Sequence, residues 1–239
     1  MVMSYRYTLE DLSQIFDHTN LKADATLKDI EMLCQEAIRN NFKSIMVNQA
    51  YISYCRNLLL NNKILVGATV SFPLGQTTLK SKLQESKESI DLGVDEIDYV
   101  INIAAVKDGR YDYIKQEMKE ITNLCHTHQV IVKVIFENCY LTSEEIEQVA
   151  RIAKEVKPDF IKTSTGFGMS GAKIEDIKLM KTIVGNEVKV KAAGGISDAD
   201  TVIQMLKAGA ERIGASLGVE IMEEFKEKFE EENIEVIEI

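Results

Sequence analysis

The sequence has few of the residues that interrupt a chain or bind a metal. Its 239 residues include two prolines, three histidines and four cysteines. Pro73 and Pro158 stand far apart, and no Ser/Gly-rich or low-complexity tract divides the chain. We therefore expect a single domain over residues 1–239. The histidines form no HExxH motif and the cysteines form no CxxC pair, so a metal site is poorly supported.

The composition also argues against several kinds of partner. The net charge of −10 and the pI of about 5.0 disfavour nonspecific binding to nucleic acid or to an anionic membrane surface. No apolar run approaches the roughly 18 residues of a membrane span. The first residues lack the pattern of a secretory signal. With free, widely spaced cysteines, these features predict a soluble, cytoplasmic protein. A local basic pocket for an anionic small molecule is compatible with this charge.

Short β-branched runs alternate with longer charged segments of helical period along the whole chain. The strand candidates number eight and cover residues 14–17, 44–47, 64–70, 96–101, 130–136, 160–163, 188–191 and 211–213. One helix candidate, 24–40, has an apolar face made of Leu27, Ile30, Leu33, Cys34 and Ala37. Eight such units in this length predict an α/β fold, a single (β/α)8 TIM barrel. A doubly wound open sheet is the alternative, because alternation does not show closure.

Charged residues occur inside several of these strands, although burying an unpaired charge is costly. Alternate side chains of a barrel strand face the helices or the lumen. With the apolar residues on the helix side, four charged side chains converge on the lumen: Asp98, Lys133, Lys162 and Lys191. They lie toward the carboxyl ends of their strands, where barrel enzymes place their chemistry. The pattern indicates an active site, with a structural ion-pair network as the competing interpretation.

Glycine-rich turns follow the last three strand candidates and read STGFGMSGA, AAGGIS and GASLG. In TIM barrels the loops after strands seven and eight, together with a helix N-terminus, often bind phosphate. Backbone N–H groups could supply donors at Gly194, Gly195, Gly214, Ala215 and Ser216. Each turn alone would be an ordinary loop. Together they favour a phosphorylated aldehyde or sugar as the substrate.

Two neighbouring lysines indicate a specific chemistry. A lysine with a pKa of about 10.4 is almost wholly protonated at neutral pH, and a second ammonium nearby lowers that pKa. We expect Lys191 to act on Lys162 in this way, so that a free amine attacks an aldehyde or ketone and forms an iminium. The iminium stabilises a carbanion on the adjacent carbon, and a C–C bond then breaks or forms without a metal. A nicotinamide site is poorly supported because no GxGxxG follows an early strand.

At these positions the chain resembles the deoxyribose-phosphate aldolases. The similar segments are DHTNLKADAT at 17–26, FPLG at 72–75, EIDYVIN at 96–102, KVIFE at 133–137, FIKTSTGFG at 160–168, VKAAGGI at 190–196 and RIGAS at 212–216. KTSTG and KAAGG are the specific part. The resemblance implies a lyase without metal or other cofactor that reversibly cleaves 2-deoxy-D-ribose 5-phosphate to D-glyceraldehyde 3-phosphate and acetaldehyde.

Roles for individual residues follow from the resemblance. It implies that Lys162 forms the Schiff base, that Lys191 perturbs it and that Asp98 belongs to the proton relay. Contacts to substrate or phosphate are expected from Thr163, Gly166, Gly194, Gly195, Gly214, Ser216, Asn20 and, in a supporting electrostatic role, Lys133. The family commonly has leucine where Asn20 stands, a departure that bears on substrate identity and leaves the mechanism intact. Phe167 after KTSTG adds no cation for the phosphate.

Two other functions stay open on sequence alone. One is a Schiff-base lyase or thiolase-like barrel enzyme that acts on another phosphorylated carbonyl compound. The other is a barrel that binds a sugar phosphate without catalysis. The sequence does not fix the oligomeric state, and a homodimer is the expectation because small barrels of this kind often pair.

Overall fold

The computed structural model describes residues 5–239, in which eight parallel strands close into a barrel surrounded by helices. The strands are β1 Arg6–Tyr7, β2 Phe16–Asn20, β3 Ser44–Val47, β4 Leu65–Val70, β5 Glu96–Val100, β6 Ile131–Ile135, β7 Phe160–Lys162, β8 Lys189–Ala193, β9 Arg212–Ala215 and β10 Ile237–Glu238. The helices are α1 Leu9–Ser13, α2 Leu27–Asn40, α3 Ile52–Leu58, α4 Leu79–Asp91, α5 Ile103–Lys107, α6 Tyr111–Thr127, α7 Ser143–Val156, α8 Ile174–Val184, α9 Ala199–Lys207 and α10 Gly218–Glu231. Short 3-10 helices cover Gln49–Tyr51 and Asn138–Tyr140.

Closure of the sheet confirms the TIM barrel and rules out the open sheet. Strands β2 to β9 pair in chain order, and β9 returns to pair with β2. All eight predicted barrel strands are present. The first was placed too early, because the observed strand is Phe16–Asn20 where 14–17 was predicted. Asp17 therefore lies inside the barrel wall, in register with Ser44 on one side and Gly214 on the other.

Side chains that satisfy free backbone groups set the starts of several helices. Thr26 and Asp29 form a capping box at α2, and Thr142 and Glu145 form one at α7. The predicted apolar face of α2 is buried at Ile30, Leu33, Cys34 and Ala37. The prediction was wrong for Leu27, the first residue of the helix, because its side chain is 57% exposed. The buried faces of the helices and the outward side chains of the strands form one apolar layer around the barrel.

The two ends of the described chain meet on the outside of the barrel. Strand β1 pairs antiparallel with β10, and the backbones of Tyr5 and Ile239 exchange two hydrogen bonds of 2.8 Å. Ile234, Ile237 and Ile239 pack against the apolar layer. The last residues therefore cover the body of the same chain. Among residues 5–239, no helix combines the length and the apolar character needed to cross a membrane.

Candidate active site

The barrel brings the four predicted charged side chains together inside the lumen. In the register of the sheet, Asp98 lies beside Lys133, and Lys162 lies beside Lys191. One carboxylate joins all three lysines. Oδ2 of Asp98 accepts from Nζ of Lys162 and from Nζ of Lys191, each at 2.8 Å, and Oδ1 accepts from Nζ of Lys133 at 2.8 Å. Asp98 is therefore placed to pass a proton between the first two.

Three further charged residues in the lumen, Asp17, Glu96 and Arg212, bond to the predicted lysines or to one another. Asp17 accepts from Nζ of Lys191, from a guanidinium nitrogen of Arg212 at 2.6 Å and from the hydroxyl of Ser44 at 2.7 Å. Glu96 accepts from Lys133 at 2.6 Å and from Arg212 at 3.3 Å. We call the whole set the lumen cluster: Asp17, Glu96, Asp98, Lys133, Lys162, Lys191 and Arg212.

Charge balance within the lumen cluster favours loss of one proton. Its basic side chains number four and its carboxylates three, so the fully ionised set carries one positive charge in excess. A buried net charge is unfavourable because the interior solvates it poorly. Removing a single proton from one lysine leaves three cations against three carboxylates. The environment thus favours one neutral amine within the cluster.

Lys162 is the lysine whose environment favours the neutral form. Burial lowers its pKa to about 8, with a further lowering by the ammonium of Lys191 and an opposing effect of the Asp98 carboxylate. The sequence predicts the second ammonium as the main cause, whereas burial is the larger one in the structure. With a pKa near this value, roughly a tenth of the amine is free at pH 7, against less than about a thousandth for an exposed lysine.

Asp98, Asp17 and Lys133 are held in their charged forms by their neighbours. Burial opposes ionisation of Asp98, but Lys133, Lys162 and Lys191 outweigh it and lower the pKa of that carboxyl far below its usual range. The pKa of Asp17 is also well lowered, against burial, by Lys191, Lys133 and Arg212. Burial likewise opposes the charge on Lys133, yet its carboxylate neighbours raise its pKa. These groups provide a fixed field around Lys162.

An open cavity of about 480 Å³ lies at the carboxyl ends of the strands, and Lys162 is the member of the lumen cluster that lines it. Its side chain is 4% exposed, whereas those of Asp98 and Lys191 are wholly buried behind it. Of the predicted contact residues, six line the same cavity: Asn20, Gly166, Gly194, Gly195, Gly214 and Ser216. The cavity therefore connects the predicted nucleophile to the predicted phosphate-binding turns.

Free backbone donors line part of this cavity. The N–H groups of Gly166, Gly194, Gly195 and Ser216 donate to no acceptor within residues 5–239. Helix α10 begins two residues after Ser216, and its first-turn amides are free by geometry. Several unpaired donors beside a helix N-terminus are suited to an anion such as a phosphate monoester.

Two predicted contact residues lie elsewhere. Thr163 is fully buried, and its hydroxyl bonds to the backbone of Ala193, accepting at 3.2 Å and donating at 3.3 Å. It joins β7 to β8 and does not line the cavity. Lys133 lies beneath Asp98 and does not line the cavity either. Gly214 has a second role, since a Cβ there would lie 3.0 Å from Cε of Lys191.

The histidines contribute no metal cluster to the described part of the chain. His126 and His128 are exposed at the end of α6, as expected of a solvated helix end, and His126 contacts Asp159 at 3.0 Å. His18 lies at the edge of the cavity, where Nε2 bonds to Glu36 at 2.8 Å. Within residues 5–239, no group of three or more His, Cys, Asp or Glu side chains is arranged to hold a metal ion.

Sequence reasoning missed Asp17, Glu96 and Arg212 as members of the site. Glu96 lies two residues before Asp98 on β5, so alternation places both side chains on the lumen face. Asp17 is the last residue of a strand that was predicted two residues too early. The predicted strand therefore did not show whether the Asp17 side chain faces the lumen or the helices. Arg212 follows the same alternation as Lys191 on the next strand, and this signal could have identified it.

Comparisons with known proteins agree with this geometry. Residues 12–224 match the DeoC/LacD family aldolases. The chain belongs to that family. It is 55% identical to a deoxyribose-phosphate aldolase of Lactobacillus acidophilus, over 98% of this chain and 99% of the relative. It is 46% identical to one of Bacteroides thetaiotaomicron, with 92% of each chain covered.

A solved structure supports the same assignment. The deoxyribose phosphate aldolase of Aeropyrum pernix, described as tetrameric, superposes with a TM-score of 0.86 at 27% identity and 92% coverage of both chains. This DeoC/LacD-family member is therefore an enzyme, an aldolase on the TIM-barrel fold. Family membership thus rules out the non-catalytic sugar-phosphate binder.

Proposed function

We propose that this aldolase reversibly cleaves 2-deoxy-D-ribose 5-phosphate to D-glyceraldehyde 3-phosphate and acetaldehyde through a Schiff base on Lys162. The observation that carries the proposal is the position of Lys162. Its amine belongs to a charged cluster whose environment lowers the pKa of Lys162. The same side chain lines a cavity that is also lined by free backbone N–H groups. Two relatives that cover nearly the whole chain carry the name of this activity.

The free amine of Lys162 begins the reaction by attacking the C1 aldehyde of the open-chain sugar. The carbinolamine loses water and leaves an iminium, which withdraws electrons from C2. Removal of the proton from the C3 hydroxyl then breaks the C2–C3 bond, releases glyceraldehyde 3-phosphate and leaves an enamine on C1 and C2. Protonation at C2 and hydrolysis return the free lysine and acetaldehyde.

Asp98 and Lys191 are proposed to move the protons in these steps. Oδ2 of Asp98 lies 2.8 Å from both amine nitrogens, so a proton leaving Lys162 has an acceptor within hydrogen-bond distance. Lys191 can then donate to the departing hydroxyl or to the enamine carbon, directly or through water. Lys133 and Asp17 stay charged and fix the positions of Asp98 and Lys191.

The 5-phosphate is proposed to bind at Gly166, Gly194, Gly195, Gly214 and Ser216, beside the start of α10. No cation comes from Phe167, whose ring lines the cavity and contacts the ring of Phe72 edge to face at 5.3 Å. Backbone donors and the helix N-terminus are proposed to bind the anion, and Lys22 is a cation that lines the same cavity. Asn20 also lines the cavity and is proposed to contact the sugar.

A substrate panel tests the assignment. We expect the purified protein to release glyceraldehyde 3-phosphate from 2-deoxyribose 5-phosphate, as measured with a coupled dehydrogenase, with no added metal and in the presence of a chelator. Turnover of another phosphorylated carbonyl compound in its place would favour the alternative Schiff-base lyase or thiolase-like enzyme.

The expectations of a single domain over residues 1–239, of a homodimer and of no nucleic-acid partner remain predictions. Light scattering at several protein concentrations would separate a dimer from the tetramer described for the Aeropyrum pernix enzyme. Limited proteolysis that yields no stable fragment would support one domain. Retention on a heparin column at low salt would count against the expected lack of nucleic-acid binding.

A further inference from the structure

A buried glutamate outside the lumen cluster contacts the loop that follows β7. Glu137 follows β6, is 1% exposed and has a left-handed backbone with φ 57° and ψ 62°. Residues other than glycine rarely adopt this conformation. Its carboxylate forms no ion pair with a basic side chain among residues 5–239. A strained and buried carboxylate beside an active-site loop indicates a functional constraint.

The carboxylate of Glu137 accepts three hydrogen bonds from Thr165 and a weak one from the thiol of Cys139 at 3.9 Å. The backbone N–H of Thr165 donates to both carboxylate oxygens, at 3.2 and 3.3 Å, and the hydroxyl donates to Oε2. The same hydroxyl accepts the N–H of Phe167 at 3.0 Å. The amides on both sides of Gly166 are thus occupied. The N–H of Gly166 between them has no acceptor within residues 5–239, and Gly166 lines the cavity.

The position of this loop is coupled to the next glycine turn by direct packing. A Cβ on Gly194 would lie 3.0 Å from Cα of Gly171 and 3.3 Å from Cα of Gly166. Ala172 donates its N–H to the carbonyls of Ala193 at 3.1 Å and Gly194 at 3.0 Å. A shift of Gly166 would therefore displace Gly194. Both turns contribute free N–H groups to the proposed phosphate site.

We propose that Glu137 and Thr165 are positioning residues for the phosphate group of the substrate. The inference rests on the proposed function, because it assigns the phosphate to the turns at Gly166 and Gly194. Lys162 is oriented separately, through Asp98 in the lumen. Disturbing the contact between Glu137 and Thr165 should therefore weaken phosphate binding and leave the amine chemistry intact.

Thr165→Val tests the inference, because it removes the hydroxyl at nearly constant shape, and Thr165→Ser is the matched control that keeps it. For Thr165→Val we expect KM for 2-deoxyribose 5-phosphate to rise about tenfold or more, the effect of one or two lost hydrogen bonds. We expect kcat to stay within about threefold. The kcat/KM for unphosphorylated 2-deoxyribose should not change. Thr165→Ser should behave as the wild type.

A binding measurement and a second variant complete the test. Competitive inhibition by inorganic phosphate should weaken in Thr165→Val by a factor similar to that in KM. Glu137→Gln, which keeps the size of the side chain, should shift the same quantities in the same direction. If Thr165→Val does not fold, the same KM and inhibition measurements on Glu137→Gln test the inference.

Equal losses with the phosphorylated and the unphosphorylated sugar would overturn the inference, since they would indicate a general structural role. An unchanged KM together with unchanged inhibition by phosphate would overturn it as well. In both cases the wild type is active and the proposed function stands. A wild-type protein that cleaves neither sugar would remove the proposed function, and this inference with it.

Discussion

Two lysines of this protein are buried with lowered pKa values, and only one of them meets a cavity. Lys82 on α4 is 0% exposed and lies between α4, α6 and the barrel wall. Its Nζ donates to the carbonyl of Val100 at 2.7 Å and to Glu117 at 2.8 Å. Burial lowers the pKa of Lys82 and raises that of Glu117. Every partner in this pair belongs to the protein, and Lys82 does not line the cavity that Lys162 lines.

Lys162 differs from Lys82 in what surrounds its nitrogen. Its carboxylate partner Asp98 is shared with Lys191 and Lys133, so Lys162 competes with two other cations for one negative group. Lys82 has the carboxylate of Glu117 without such competition. A lowered pKa therefore does not identify a nucleophile. A nucleophile is identified by access to a cavity together with a counter-charge that is shared with other cations.

The largest expected effect is on turnover. Lys162→Met should lower kcat by more than about 10⁴-fold, because no other amine lines the cavity with access to Asp98. The matched control, Lys82→Met, should retain kcat per folded molecule within about threefold. Measured turnover of a folded Lys162→Met protein near the wild-type value would remove Lys162 from the mechanism.

The next largest effect is on stability. Lys82→Met should lower the free energy of unfolding by about 3–5 kcal/mol, since it leaves the buried carboxylate of Glu117 without its cation. Denaturant titration gives this number. The double variant Lys82→Met/Glu117→Leu should recover part of the loss, because the unpaired charge is gone. No recovery would mean that the contact of Lys82 with Val100 matters more than the ion pair.

A smaller effect is expected on the pH dependence. Removal of the Lys191 cation should raise the pKa of Lys162, since that cation lowers it. In Lys191→Leu the rise of kcat/KM with pH should therefore move to higher pH, with a loss of about 10²-fold at pH 7. Lys189→Leu, an exposed position on the same strand, is the control. A pH–rate profile with an unshifted limb would show that Lys191 does not tune Lys162.

A last effect concerns stability at Lys162, whose removal leaves its carboxylate partner Asp98 bonded to Lys191 and Lys133. A lysine whose pKa is lower in the folded state costs stability below that pKa, because the unfolded chain binds the proton more tightly. Because Asp98 keeps two cations, Lys162→Met should raise the free energy of unfolding near pH 7 by up to about 3 kcal/mol, and Tm with it. At Lys82 the same gain is outweighed by the unpaired carboxylate of Glu117. The gain at Lys162 should shrink as the pH rises from about 8, the folded value, toward the ordinary value of lysine. Calorimetry at several pH values measures this trend. A lower Tm for Lys162→Met at pH 7 would contradict it.

Much of the site could be predicted from sequence because strand alternation fixes direction. In EIDYVIN and VIVKVIFE, the apolar residues of one parity identify the helix side, and the charged residues of the other parity then face the lumen. This placed Asp98 and Lys133 correctly. The glycine turns after the last strands were equally readable, since their position in the barrel is set by chain order.

The rest depended on contacts that chain order does not determine. Lys82 and Glu117 lie on two helices and meet only through packing of α4 against α6. Thr163 follows the KTSTG pattern as well as Gly166 does, but only the register of β7 with β8 shows that its hydroxyl bonds to Ala193. Asp17 was missed because the ends of a short strand are the least certain feature of a sequence pattern.

Lys162 is the amine proposed to form the Schiff base in this protein. The most direct test is mass spectrometry after incubation with acetaldehyde and sodium borohydride, followed by proteolysis. We predict the addition of one ethyl group at Lys162, none at Lys82 and none when acetaldehyde is left out. A folded protein with no adduct at Lys162, or with the adduct on another buried lysine, would contradict the account.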